Sequence, residues 1–306
     1  MIDILVATYN GERYLSAQLD SLLGQTEKDI RILIRDDGST DRTPEMIADY
    51  VQRYLGKVEA VSASAAAKGP VGNFMALTRV ASANYVMYCD QDDVWYPEKA
   101  EKMRKAMTEA EQRWGSQTPI LVYSNYETVD EDLTPLPVDE RKNQVYHPHL
   151  TFNRLLVQNY VTGCTMMANR ALYQKATAAD AEILMHDWWF ALYASAFGKI
   201  VHLDEKLMAY RQHRNQCVGA TDVKSFNYRL TKFKDPATRD KKNDYYRQAQ
   251  AFKAHYGRDL PTDQAQILNY FLAIPAKNKW GRMAALIRGK YFKSDFFRIL
   301  GQFYYI

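Results

Sequence analysis

Apolar residues fall into two alternating rhythms over the first hundred positions. Short unbroken runs, "IDILVAT" (2–8), "DIRILIRDD" (29–37), "KVEAVSA" (57–63) and "NYVMYCD" (84–90), have the length of buried strands. Between them the spacing changes to that of helices. "ERYLSAQLDSLLGQ" (12–25) places Tyr14, Leu15, Leu19, Leu22 and Leu23 on one side, and "TPEMIADYVQRYL" (43–55) carries Pro44 in a favourable first-turn position. "VGNFMALTRVA" (71–81) and the stretch 97–114 continue the helical series. Four β–α units in succession predict a mainly parallel sheet covered by helices on both faces.

The second portion is more mixed. "PILVYSNYETVD" (119–130) and "NYVTGCTMMAN" (159–169) read as strands, separated by a loop through Pro135, Pro137 and Pro148. "HDWWFALYASAFG" (186–198) reads as a helix ended by Gly198, and "KIVHLDEKLMAYRQH" (199–213) as two short strands or a strand pair. Beyond Asp222 the pattern is wholly helical, with segments near 223–234, 238–257, 261–274 and 280–304. The expectation is an α/β domain over residues 1–220 with a C-terminal helical region over 221–306.

Composition narrows the picture. An apolar fraction of 47% in 306 residues suits one large folded domain with an appendage, and a net charge of +4 argues against a nucleic-acid binder. Cys89, Cys164 and Cys217 are far apart and odd in number, which speaks against a zinc site or a disulfide framework and fits a reducing compartment. The opening "MIDILVATYN" lacks a basic leader, and no run approaches 18 apolar residues, so neither a signal peptide nor a membrane span is expected.

Charge placement matters more than its total. From Ala276 onward the chain holds seven Lys/Arg, one acid and eight aromatics. Trp280, Ala284, Ile287 and Tyr291 fall along one helical face, and Phe292, Phe296 and Leu300 continue an apolar side. Such a helix reads as an interfacial membrane anchor, or else as a helix packed on the α/β domain or in a dimer contact.

Candidate chemistry gathers at predicted strand ends, where open α/β sheets bind ligands. Three segments lie there: "TYNGE" from Thr8 to Glu12, "RDDGSTD" with Asp36 and Asp37, and Asp90-Gln91-Asp92-Asp93. Close-set carboxylates are stable when they share a hard divalent cation, and Mg²⁺ takes one or two of them together with phosphate oxygens. Asp-x-Asp therefore suits a metal clamp on a diphosphate; the competing reading is a polar turn in which Asp93 helps cap the helix after Pro97. A carboxylate of the Asp36–Asp37 pair can accept a pyrimidine N–H, though Asp-Asp-Gly-Ser is also a common turn.

In this order, the segments resemble the family 2 inverting glycosyltransferases of the nucleotide-sugar fold called GT-A. "ILVATYNGERYLSAQLDSLLGQT" with "IRILIRDDGSTDRT" is similar to that family's opening and nucleotide-binding region, and "YVMYCDQDDVWYPEKAEKM" to its Asp-x-Asp motif with a downstream proline and lysine. The likeness spans roughly residues 1–215. "DQDDVW" and "YRQHRNQ" are further similar to bacterial rhamnosyltransferases of surface-polysaccharide synthesis. The resemblance implies a nucleotide-diphosphate sugar donor, with dTDP-rhamnose suggested, a saccharide or lipid-linked acceptor, and Mg²⁺ or Mn²⁺. It also implies a cytoplasmic enzyme, peripheral at the inner face of the cell membrane. Thr8, Tyr9, Glu12, Asp37 and Asn73 would then border the nucleotide, with Asp37 meeting the base. Asp90 would support the nucleotide or sugar side and Asp92 would ligate the metal, leaving Asp93 structural. For Asn73 a helix-surface position is the alternative.

Inversion in one displacement needs a base across the sugar from the leaving group. "MHDWW" offers Asp187, an acid among large apolar side chains; capping the helix that follows is its plainer role. Relatives resembling this chain carry Glu-Asp here, and His186 replaces the glutamate. Trp188 and Trp189 suit stacking on sugar faces or burial in the core, with at least one expected inside. Gly163 in "VTGCT" resembles part of an acceptor-side wall, or marks a β-bulge. Arg211, His213 and Arg214 offer a grip on diphosphate, and His213 alternatively completes the metal shell. The rival classes are a sugar nucleotidyltransferase, disfavoured by the lack of a glycine-rich basic loop after the first strand, and a non-catalytic membrane scaffold.

Overall fold

The apolar runs become strands because their side chains are enclosed from both sides. In β1 (Ile2–Thr8) every residue but Ala7 is buried, Ile2, Ile4 and Val6 entering one core and Leu5 the other. A computed structural model describes residues 1–62, 67–137, 150–177, 183–213, 236–294 and 296–304 of the chain. β2 (Ile30–Asp36) and β4 (Tyr85–Asp90) flank β1 in parallel, and β3 (Val58–Ala60) extends beyond β2. The sheet continues through β7 (Met166–Asn169), β6 (Ile120–Val129), β8 (Lys199–Arg211) and β5 (Val94–Trp95), in the order β3-β2-β1-β4-β7-β6-β8-β5. β7 runs antiparallel to both neighbours, while β8 is parallel to β6 and antiparallel to β5. The result is a mixed, mainly parallel sheet.

Helices cover both faces. α1 (Leu15–Leu23), α2 (Thr43–Arg53) and α4 (Lys99–Trp114) close one core with Leu15, Leu19, Leu22, Ile47 and Met103. α3 (Gly69–Val80), the single-turn α5 (Phe152–Leu155), α6 (Arg170–Thr177) and α7 (His186–Phe197) close the other. α8 (Pro236–Tyr256), α9 (Thr262–Leu272) and α10 (Lys279–Gly289) add Phe252, Phe271 and Leu286 to that second core, and α11 (Phe296–Tyr304) follows.

Several elements differ from expectation. The stretch 159–169 is a strand only from Met166, because Gly163–Thr165 coil into a 3₁₀ turn, Thr165 donating through both its N–H and its hydroxyl to the Thr162 carbonyl. Gly163 therefore sits in a turn and not in a bulge. Residues 199–211 form one long strand, which absorbs its polar middle through two register shifts against β6. The helix expected over 280–304 is broken where Lys290 adopts a left-handed conformation and Tyr291 N–H turns back to the Leu286 carbonyl. That reversal buries Tyr291, whose hydroxyl donates to the Ile267 carbonyl, so it does not share the outer face of Trp280 and Ile287. The expected helix over 223–234, Arg214, Cys217 and the boundary near 220 lie outside the described residues.

The C-terminal helices are tied to one particular segment. Asn153 donates to the Gly289 carbonyl, Gln158 exchanges two hydrogen bonds with Ser294, and the Tyr160 hydroxyl donates to the Phe292 carbonyl. Residues 153–160 lead directly into the Gly163 turn.

Candidate active site

The strand order reverses at β1, whose successor β2 lies on one side while β4 returns on the other, so the carboxyl ends of β1 and β4 frame a switch-point crevice. On its β2 side two loops are laced together. Asn10 N–H donates to Ser39 Oγ (2.8 Å), Thr40 N–H to Asn10 Oδ1 (2.9 Å), and Gly11 N–H to Thr43 Oγ1 (2.8 Å). Asp36 accepts from the Gly38 and Ser39 amides and from the hydroxyls of Thr8 and Ser39, which shapes the turn. Asp37, the next residue, pairs with Arg35 at 3.5 Å and accepts the Gly69 amide at 2.7 Å.

The side chains expected beside the nucleotide are held by the protein itself. Thr8 is buried with its hydroxyl turned onto β2, and Glu12 accepts the Arg42 amide, so both side chains brace the loops. Asn73 is neither on a helix surface nor free: it is buried, its amide group donating to the Thr8 and Arg35 carbonyls while Oδ1 has no protein partner among the described residues. Tyr9, by contrast, is 56% exposed at the crevice mouth.

The acidic turn leaves β4 opposite these loops. Burial, then the charges of Asp92 and Asp187, push the Asp90 carboxyl up to about 7. Asp93 is fully buried, accepts the Arg211 amide at 3.1 Å and is likewise driven well above the usual carboxylate range by burial and by Asp92 and Asp90. It does not cap α4, which begins after Glu98. Asp92 Oδ2 lies 2.7 Å from His213 Nε2, and the imidazole ring packs against Tyr14. Arg211 is buried beneath the turn, donating to the carbonyls of Asp92 and Glu131 and lying over the Tyr14 ring, so it holds the turn's backbone.

One donor set among the described residues brings Asp90, Asp93 and the Cys164 thiol within 4.8 Å of one another. Burial and the two acids keep that thiol protonated, and a hard cation prefers oxygen. The more open Asp92–His213 pair, with Asp90 beside it, offers a carboxylate and an imidazole to such an ion, and the buried Asp93 Oδ2 has no hydrogen-bond partner among the described residues.

Asp187 enters from the other half of the sheet. α7 begins at His186 with Met185 as its cap, so Asp187 lies within the first turn instead of capping it. Its carboxylate accepts the Trp188 amide at 2.6 Å and the Gly163 amide at 3.1 Å. Burial raises its affinity for a proton, those amides and the Asn159 side chain oppose the rise, and it settles at about 6. His186 is boxed by Phe74 and Tyr88, has no hydrogen-bond partner on either ring nitrogen among the described residues, and is pushed by burial down to about 3, so it is neutral. Gly163 permits this packing, since a Cβ there would lie 2.7 Å from His186 Nε2. Trp188 is partly exposed with its indole N–H on the Leu155 carbonyl, whereas Trp189 is fully buried against Phe252 and belongs to the core, not to an acceptor face.

Gln91, which the motif reading passed over, and Lys99, the lysine downstream of the acids, complete the site. Gln91 reaches across the crevice to the Tyr9 backbone. Lys99 is buried under the turn, donating to the Cys164 carbonyl (2.6 Å) and lying 3.7 Å from the Trp95 ring centroid. Burial lowers its affinity for a proton to about 8, against the opposing pull of Cys164, Cys89, Asp93 and Asp90. Its signal in the sequence is position: it heads the buried stripe Lys99, Met103, Met107, Ala110. Lys99→Met, which strands the acids without this cation, should cost about 3 kcal/mol of stability, read as a lower urea midpoint.

Residues 3–176 match the family described as "Glycosyl transferase family 2". The dTDP-rhamnosyl transferase RfbG of Shigella flexneri is 28% identical over 229 residues, 70% of this chain and 74% of that protein. Of further curated relatives from mycobacteria the chain spans 59% of the length. Among solved structures, S. aureus TarS 1-349 in complex with UDP aligns with a TM-score of 0.56 at 16% identity, over 91% of this chain and 73% of that one. Mannosyltransferase PcManGT from Pyrobaculum calidifontis, in complex with GDP-Man and Mn²⁺, aligns with a TM-score of 0.52 at 16% identity, over 96% and 76%. At those identities the structural likeness is one of fold.

Proposed function

The chain belongs to glycosyl transferase family 2, and from that premise we propose an inverting, metal-dependent enzyme that moves L-rhamnose from dTDP-rhamnose to a saccharide or lipid-linked saccharide acceptor in bacterial cell-surface polysaccharide synthesis. That it is a glycosyltransferase follows from its family; the donor, the metal and the acceptor are the proposed part. One observation supports the reading: Asp187, from the far half of the sheet, accepts the Gly163 amide, and the next residue, Cys164, brings its thiol within 4.8 Å of carboxylate oxygens of Asp90 and Asp93. That nearness supports a crevice in which donor-side acids face a candidate base.

In this reading Asp37 accepts from the base, with the Tyr9–Asn10 backbone beside it. Asp92 and His213 would hold Mg²⁺ or Mn²⁺, with Asp90 adjacent. When bound, such an ion offsets negative charge on a departing diphosphate. Asp187 accepts the proton of the acceptor hydroxyl as that oxygen attacks the anomeric carbon. The Gly163 amide fixes the carboxylate's direction, and the neutral His186 adds no second negative charge beside it. Incubation with a panel of nucleotide sugars should release nucleoside diphosphate from dTDP-rhamnose in Mn²⁺ or Mg²⁺ and not after chelation. Pyrophosphate release from a nucleoside triphosphate would instead indicate a nucleotidyltransferase.

The same reading places the enzyme at the inner face of the cell membrane. Among the described residues no helix is long and apolar enough to cross a membrane. The outer face of α10 presents Trp280 (76% exposed), Ala284 and Ile287 (56% exposed), flanked by the exposed cations Lys277, Lys279, Arg288 and Lys290. Apolar side chains rimmed by cations suit an anionic lipid surface. Binding of the full chain to phosphatidylglycerol vesicles should fall about tenfold in a Trp280→Ala, Ile287→Ser double variant. Equal sedimentation of parent and variant would contradict attachment through this face.

A further inference from the structure

The parallel ladder between β1 and β4 runs out at Ala7 and Asp90. Beyond it, a side chain supplies the next rung. Gln91 Oε1 accepts the Tyr9 N–H at 2.8 Å and Gln91 Nε2 donates to the Tyr9 carbonyl at 2.9 Å, across 82 positions of sequence. Donor and acceptor of the carboxamide are both used, in the arrangement of a backbone pair. Gly11 makes room for it: a Cβ there would lie 2.4 Å from Gln91 Oε1, and the atoms nearest to it all belong to Gln91.

We propose that Gln91 is a positioning residue, which locks the Tyr9–Gly11 loop to the Asp90–Asp93 turn so that nucleoside and diphosphate ends of the donor meet a preset spacing. This rests on the donor and metal assignments of the proposed function. Gln91 would act through the Tyr9–Gly11 loop, to which its carboxamide is bonded. Its position between Asp90 and Asp92 makes the spacer of Asp-x-Asp a structural strut, and the only side chain that fits must end in a group able to donate and accept at once. Asp and Glu lack the donor; Asn is one carbon too short.

Gln91→Ala should raise the KM for the sugar nucleotide about tenfold, the worth of two lost hydrogen bonds, with kcat changed less. Gly11→Ala displaces the carboxamide and should produce the same rise. Combined, the two substitutions should do no more than either alone, because the second has nothing left to break. A merely stabilising contact would lower the unfolding temperature and the active fraction while leaving KM alone, and that outcome overturns the proposal; so do single effects that multiply in the double variant. Hydrogen exchange separates this failure from failure of the donor assignment. Tyr9 is more than half exposed, yet its amide should exchange at least tenfold faster in Gln91→Ala than in the parent, whatever the donor. Equal exchange rates would mean the strut does not form.

Discussion

Asp187→Asn should slow sugar transfer about 10³-fold while leaving donor affinity within about twofold of the parent. The amide keeps the shape of the carboxylate, and its one oxygen can still accept either the Gly163 amide, now on Oδ2, or the Trp188 amide, now on Oδ1. It has no capacity to take a proton. Single-turnover transfer, measured beside equilibrium donor binding, separates the two quantities. The pH profile adds a second check. With the carboxyl at about 6, the basic form prevails above that value and the protonated form below it. In the parent, kcat/KM should therefore climb roughly tenfold per pH unit below 6 and level off above it, and the residual rate of the variant should lack that limb. An Asp187→Asn enzyme of parental speed would assign proton transfer to another group.

Asp92→Asn should lower metal-dependent turnover by about 10²- to 10³-fold, the worth of several kcal/mol of charge stabilisation. Stability should hardly move. The Asn side chain can retain the contact with His213, and the loss of one negative charge relieves Asp90 and Asp93, both of which Asp92 drives toward protonation. Loss of activity together with an unchanged unfolding midpoint is thus the signature of a functional carboxylate. A collapsed midpoint would make Asp92 a structural residue of the turn.

The first four β–α units were legible because parallel strands buried on both faces leave unbroken apolar runs, and because helices on one face leave stripes such as Leu15, Leu19 and Leu22. The acidic cluster was legible for a related reason: an apolar strand that stops in three carboxylates has reached solvent or a ligand. Inward direction was harder to read. Thr8, Asn73 and Arg211 are polar residues whose partners are backbone carbonyls or carboxylates supplied by distant parts of the chain, and no local spacing announces such partners. β5 escaped notice since two residues carry no period, and its existence depends on β8 more than a hundred positions away. The Gly163 turn was hidden in an apolar segment that reads as strand. Only the folded chain shows that its amide is needed at Asp187.

The central claim is that the turn at residue 92 holds a divalent ion against a nucleoside diphosphate, and Mn²⁺ binding measures it most directly. Titration of the full chain with Mn²⁺ in the presence of saturating dTDP, followed by electron paramagnetic resonance, should show one bound ion whose affinity falls at least tenfold in Asp92→Asn and stays unchanged in the surface control Asp49→Asn. Equal Mn²⁺ affinity in the parent and in Asp92→Asn would contradict the claim.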